Sequence, residues 1–327
     1  MKHLYFLFLF LSTLSFAQLT PPLELQPYYS GVDFSLTGNS LYNDLATETI
    51  ANHTTFLTYT ERHDYLYDAD EDPSNTANVI LVYSGESRNE NEWESSANTY
   101  NPQTFNTEHV YPRSLLDNSN AEADLHLLRV CDIDVNSSRG SDPFTSGSGG
   151  YSSTGSAWYP GDDWKGDVAR IIMYVNLRYN EPFTDVGLLS LFLQWNAEDP
   201  VSTIEDQRNN IISGAQGVRN PFIDNPYLAT LIYGGTDAEN RWTTLSTNSF
   251  ESYDYKIYPN PIAGDLITIK TNQTLKVEVF NVLGKSLFTK TIYPNKNKID
   301  ISTLKKGMYL VRLDASTGTV TKKLIKH

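Results

Sequence analysis

Apolar positions recur along this chain with two different periods, and the period changes near residue 256. Upstream, most of the spacing is helical. Leu41, Leu45 and Ile50 follow Ser40, which predicts a helix with Ser40 as N-cap and its end near Asn52. A second short helix is predicted over 60–67, and the apolar, β-branched run 78–85, closed by Gly85, predicts a buried strand. Residues 123–131 predict another strand, after which Asp132 caps a helix carrying Asn136 and Arg139 and broken at Gly140. Val168, Ile171, Ile172 and Val175 mark one face of an amphipathic helix over 165–179. Residues 188–195 continue the helical material, and Asp199-Pro200 predicts the start of a helix ending at Ser213-Gly214. Residues 220–226 predict a rigid turn before a last short helix to Tyr233. Beyond 256 the period is two, with short strands at 267–270, 276–280, 286–289, 308–313 and 320–325. The fold class expected is therefore α+β: a mostly helical domain with a small sheet, then a small all-β sandwich.

The ends and joints of the chain follow from composition. Lys2, the apolar run 4–11 and the small residues Ser15 and Ala17 predict a signal peptide over 1–17, cut after Ala17, not a membrane span. Pro21, Pro22 and Pro27 predict an extended leader, and the Ser-, Thr- and Asn-rich stretch 244–255 a linker. The expected domains are thus 18–243 and 256–327. The acidic run 68–75 begins as an Asp-x-Asp-x-Asp calcium loop would, but Pro73 stands where Gly is needed and Val79 where Glu is needed. A solvated turn is the better reading. Cys131 is the sole cysteine, so no intrachain disulfide forms, and its apolar neighbours predict a buried, inert thiol.

Charge separates the two domains more sharply than hydropathy does. Residues 18–255 hold 11 Lys and Arg against 35 Asp and Glu, a net of −24, while 256–327 hold 13 against 4, a net of +9. A strongly acidic first domain argues against nucleic-acid binding by a broad basic surface.

The candidate chemistry lies at 105–114. Glu108 and the amide oxygen of Asn136 are hard oxygen donors, suited to Mg²⁺, with Mn²⁺ or Ca²⁺ as alternatives, and unsuited to zinc. His109, neutral near pH 7, can take a proton from water. Neighbouring side chains on a strand face opposite ways, so Glu108 and His109 share a reacting centre only where the strand ends or bends, as Pro112 suggests. The plain alternatives are a partly exposed strand end and a surface asparagine. His126 beside Asp124 reads as catalytic, as supporting the site or as a purely structural pair, with the last two together favoured over the first. Arg113, Arg129 and Arg139 read either as phosphate contacts or as ion-pair partners of the many carboxylates.

Asn106-x-Glu108-His109-Val110-x-Pro112-x-Ser114, Asp124-Leu125-His126-x-Leu128-Arg129 and Val135-Asn136-x-x-Arg139-Gly140 resemble the secreted nucleases of the endonuclease I family, which have a His-Me (ββα-metal) finger. Further matches are 165–170, Arg178-Tyr179, Trp195 with Asp199-Pro200, and 219–224, so the likeness runs in order from about Leu41 to Tyr233. It implies His109 as general base, Glu108 and Asn136 as metal ligands, and an arginine on the cleaved phosphate, with Arg139 ahead of Arg129 and Arg113. Leu127, Val130 and Ser141 depart from the family's wording, without removing a residue in a named role. Residues 258–261, 280–285, 301–309 and 322–326 look like the sorting domain of type IX secretion substrates, which implies that machinery as a partner and a secreted or cell-surface location.

The reading that results is a metal-dependent endonuclease acting on DNA, RNA or both with little base specificity and leaving 5′-phosphates. Arg113, Arg129, Arg139, Lys165 and Arg170 are expected to form a local basic patch beside Glu108 and His109. Two alternatives stand beside it. One is an adhesin or glycan binder using the Tyr- and Trp-rich segment 151–164; the other is a metal phosphodiesterase for small substrates.

Overall fold

The computed structural model describes residues 19–244, 255–271, 274–282, 284–294, 296–315 and 318–327. The expected signal peptide lies outside the described residues, as does most of the expected linker. The chain divides into two compact units, Met1–Leu245 and Ser246–His327.

The longer elements of the first unit are α1 (Gly38–Asn52), β1 (Asn75–Ile80), β2 (Phe105–His109), β3 (Leu128–Asp132), α2 (Ile133–Arg139), α3 (Lys165–Tyr179), α4 (Leu189–Glu198), α5 (Thr203–Gln216) and α6 (Tyr227–Tyr233). Its ends meet: Leu19–Thr20 pairs antiparallel with Thr243–Thr244. The expected extended leader is instead a packed series of turns, with Tyr29 buried and its hydroxyl donating to Asp224 at 2.6 Å. Several expectations shift by a turn. Helix α1 begins before Ser40, after Thr37. The predicted second helix is a 3₁₀ turn, Glu61–Asp64, followed by the short helix Leu66–Ala69. The acidic run is not a solvated loop throughout, because Asp70 is fully buried against Arg129 and Arg208.

Helix α3 shows most clearly why the period alone misleads. The sequence suggests an amphipathic helix, yet Val168, Ala169, Arg170, Ile172, Met173, Tyr174 and Val175 are all fully buried, so packing surrounds it. Its charged face is satisfied internally: Arg170 forks onto Glu205 of α5, Nε to Oε1 at 2.6 Å and Nη2 to Oε2 at 2.8 Å. Gly166 is required there, since a Cβ would sit 2.3 Å from the carbonyl oxygen of Asp199. Asp199 accordingly caps α3, accepting from the Gly166 N–H at 2.8 Å, rather than opening α5. Helix α5 starts instead with a capping box at Ser202 and Glu205 and runs past Gly214 to Gln216.

The second unit is strand-rich. A three-stranded sheet joins Ile257–Tyr258, β4 (Leu266–Ile269) and β7 (Lys298–Asp300). A four-stranded sheet has the order β6 (Ser286–Ile292), β5 (Leu275–Asn281), β8 (Gly307–Ala315), β9 (Gly318–Lys326). Ile267, Ile269 and Ile299 of one sheet share a core with Val277, Val279, Val311 and Leu313 of the other, a small β-sandwich.

Candidate active site

Strands β2 and β3 pair antiparallel, and α2 follows β3 directly, with Asp132 accepting from the backbone N–H groups of Asp134 and Val135. By register, Asn106 and Glu108 share one face of this pair with Cys131 and Arg129, while Thr107 and His109 share the other with Val130 and Leu128. The strand stops at His109. Residues from both faces therefore reach one open pocket of about 560 Å³, lined by Thr107, Glu108, His109, Arg113, Asn136 and Arg139 among others.

Arg139 shapes that strand end. From the last turn of α2 it donates to the carbonyl oxygens of His109 at 3.1 Å and Val110 at 2.8 Å, and its Nη1 lies 3.3 Å from Glu108 Oε1. Tyr83, whose backbone is left-handed at φ 69°, donates its hydroxyl to the same carboxylate oxygen at 2.9 Å. Burial pushes the Glu108 carboxyl up, and Arg139 and Tyr83 act against that shift. Both of these side-chain contacts fall on Oε1, and the carboxylate also accepts from the His109 backbone N–H. Asn136 is oriented comparably: Nδ2 donates to Asn106 Oδ1 at 2.7 Å and to the Thr107 carbonyl at 3.3 Å, which leaves Oδ1 as the outward acceptor.

The His109 ring sits on the other side of the strand end. Its Nε2 lies 3.0 Å from the carbonyl oxygen of Glu122. A carbonyl only accepts, so Nε2 carries the proton and Nδ1 keeps its lone pair. Burial lowers the imidazole to about 4; the nearby Arg113 and Arg62 act in the same direction, against the Glu122 contact. His109 is thus neutral at physiological pH. Tyr59 stacks on the ring at 5.5 Å, 21° from parallel.

The expected basic patch does not assemble. Arg113 and Arg139 line the pocket. Arg129 and Arg170 are fully buried; Arg129 is tied to Asp70 at 2.9 Å and Asp167 at 3.0 Å, and Arg170 to Glu205. Lys165 pairs with Glu198 at 2.8 Å. Arg129 thus takes the ion-pairing alternative, and Arg170 is paired in the same way, since buried guanidinium groups need partners and the acidic scaffold supplies them. Asp124 and His126 also lie in the core. Asp124 accepts from Tyr174 at 2.7 Å and Tyr179 at 2.8 Å, and His126 Nε2 lies 3.1 Å from the Val218 carbonyl, joining α3 to the loop after α5. Trp158 and Tyr159 of the supposed glycan-binding segment are buried as well. The sequence reading missed Tyr59, Arg62, Tyr83 and the Glu122 carbonyl. No local pattern marks them, because each meets the site from a distant part of the chain.

A carboxylate oxygen and a carboxamide oxygen on an open pocket fit a hard divalent cation that keeps most of its ligands as water or phosphate oxygen. Among the described residues, no group of three or more His, Cys, Asp or Glu side chains is placed to hold a metal. An imidazole, a buried carboxyl and a carboxamide around one open pocket of an α+β domain are groups that a hydrolase can use. Residues 37–227 match the family described as Endonuclease I, and the chain belongs to that family. Residues 256–327 match the secretion system C-terminal sorting domain, which places this nuclease outside the cell or on its surface by type IX secretion. An extracellular ribonuclease of Bacillus subtilis (strain 168) is 37% identical over 243 residues, 66% of this chain and 82% of that protein. An extracellular ribonuclease of Bacillus amyloliquefaciens is 36% identical over 245 residues, 67% of this chain and 82% of that protein.

Proposed function

We propose that the catalytic domain, residues 18–243, is a divalent-metal-dependent endonuclease of low base specificity that cleaves RNA, DNA or both and leaves 5′-phosphates. Residues 244–255 then serve as the linker and 256–327 as the sorting domain. The names of the two relatives favour RNA among the substrates. The observation that carries the reading is the Glu122 carbonyl at His109 Nε2, which leaves Nδ1 as the acceptor of a residue lining the same pocket as Glu108 and Asn136.

Glu108 and Asn136 would hold the cation, Mg²⁺ before Mn²⁺ or Ca²⁺, in a ββα-metal (His-Me finger) arrangement of β2, β3 and α2. When bound it supplies a positive charge that offsets charge building on the phosphate. His109 Nδ1 accepts a proton from water as the water oxygen bonds to phosphorus. The P–O3′ bond breaks, the 3′ oxygen takes a proton from solvent, and the phosphate remains on the 5′ end. Arg139 acts through others, holding Glu108 and the His109 carbonyl in place.

The test is digestion of plasmid DNA and bulk RNA by the full chain with Mg²⁺, beside His109→Ala. We expect the variant to lose about 10²- to 10⁴-fold in kcat, measured at a temperature where it is folded. No degradation by the wild type, or a variant as fast as the wild type, overturns the proposal.

A further inference from the structure

The first unit is strongly acidic, so each basic group near the pocket matters. Among its described residues, Arg62 and Arg178 are the basic side chains with no carboxylate within 4.0 Å. Arg178 packs over Phe56 and Tyr179. Arg62 stands beside the catalytic pocket: its Nε donates to Thr107 Oγ1 at 3.0 Å and its Nη1 to the Tyr59 carbonyl oxygen, and Thr107 is a lining residue. Its guanidinium lies 3.6 Å from the centre of the Tyr59 ring, the ring that stacks on His109. The Arg113 guanidinium lies over the same ring at 5.5 Å. Arg113 does have a partner, Glu122 at 2.6 Å, but its side chain is 59% exposed, and so open a pair contributes little and yields readily to a stronger anion.

Resting on the nuclease reading above, we propose that Arg62 and Arg113, arrayed on Tyr59, form a subsite for a nucleic-acid backbone phosphate adjacent to the scissile one. A half-buried guanidinium with no carboxylate of its own leaves desolvation without electrostatic return until an anion arrives. Tyr59 holds both cations by their attraction to its ring face and sets them on the His109 side of the pocket. The subsite serves polymers, because a small phosphodiester has no second phosphate to place there.

The test is direct binding of a labelled single-stranded oligoribonucleotide to the full chain carrying His109→Ala, in Mg²⁺, by fluorescence anisotropy across a salt series. Adding Arg62→Met or Arg113→Met should weaken Kd about 10-fold and reduce the salt slope of log K by about 0.7. Arg62→Lys should keep the slope, and Arg178→Met should leave Kd as it was. Unchanged Kd in Arg62→Met and Arg113→Met overturns the subsite, and so does a weaker Kd with unchanged slope. Arg113 is exposed, so its variant carries the test if Arg62→Met fails to fold. Cleavage of the probe in the His109→Ala background counts against His109 as base, not against the subsite.

Discussion

Replacing Arg170 by Met tests whether this arginine holds substrate, as the sequence suggests, or holds the fold. If it held substrate, activity would fall while the fold persisted; its burial in α3 demands the reverse. The guanidinium makes a two-point pair with Glu205 and also donates to the Asp199 carbonyl at 2.8 Å. Removing one partner of a buried pair costs about 3–5 kcal/mol, since the carboxylate left behind keeps its desolvation penalty. For a domain of this size each kcal/mol lowers Tm by about 2–4 °C, so we expect a fall of about 6–20 °C. The loss should depend on pH. Burial pushes Glu205 up, but Arg170 more than offsets it, so its folded pKa lies below the ordinary 4.5. The stabilisation is therefore complete above that value and fades as pH falls through the lower folded pKa. All 5 tryptophans lie at or before Trp242, so their fluorescence reports unfolding of the first unit alone. At a temperature where the variant is folded, kcat/KM should stay within about threefold of wild type. An unchanged Tm with activity lost more than tenfold would refute the structural role.

Two further outcomes follow from the same geometry. Burial lowers His126 to about 4, so the unfolded chain binds its proton first. Stability should be full above about pH 6.5 and decline toward pH 4 by up to about 1.4 kcal/mol per unit, and urea midpoints for His126→Gln should decline less steeply. Asn136→Ala should weaken the cation without touching the base: the Mg²⁺ concentration for half-maximal activity should rise about 10-fold or more, as should Kd by calorimetry. An unchanged Mg²⁺ requirement would remove Asn136 as a ligand.

What was legible in the sequence was local. The caps at Asp132 and Gly140, the span of α3 and the alternation of the C-terminal strands each depend on residues within a few positions of one another, and each is found where expected. The start of α5 was also written locally, as Ser202-x-x-Glu205, although the more conspicuous Asp199-Pro200 drew the expectation upstream. What was not legible is joined over long separations. Arg170 meets Glu205 across 35 positions, and Tyr83 meets Glu108 across 25. A backbone carbonyl such as that of Glu122 leaves no trace in residue identity, yet it decides which nitrogen of His109 carries the proton.

The acidity of the domain bears differently on substrate binding once the arginines are placed. A count of charges treats Arg129, Arg170 and Arg208 as able to meet phosphate, but all three are buried on carboxylates and neutralise the interior. The surface a polymer meets is consequently poor in cations, and general attraction cannot assemble the complex. Binding must instead come from few contacts of short range: the cation proposed at Glu108 and Asn136, and Arg62 and Arg113 on Tyr59. Repulsion from distant carboxylates is screened beyond about 8 Å at physiological ionic strength, whereas charge-assisted bonds at contact are screened much less. A nuclease that binds in this way would lose less of its grip on phosphate to added salt than one that relies on a broad basic surface.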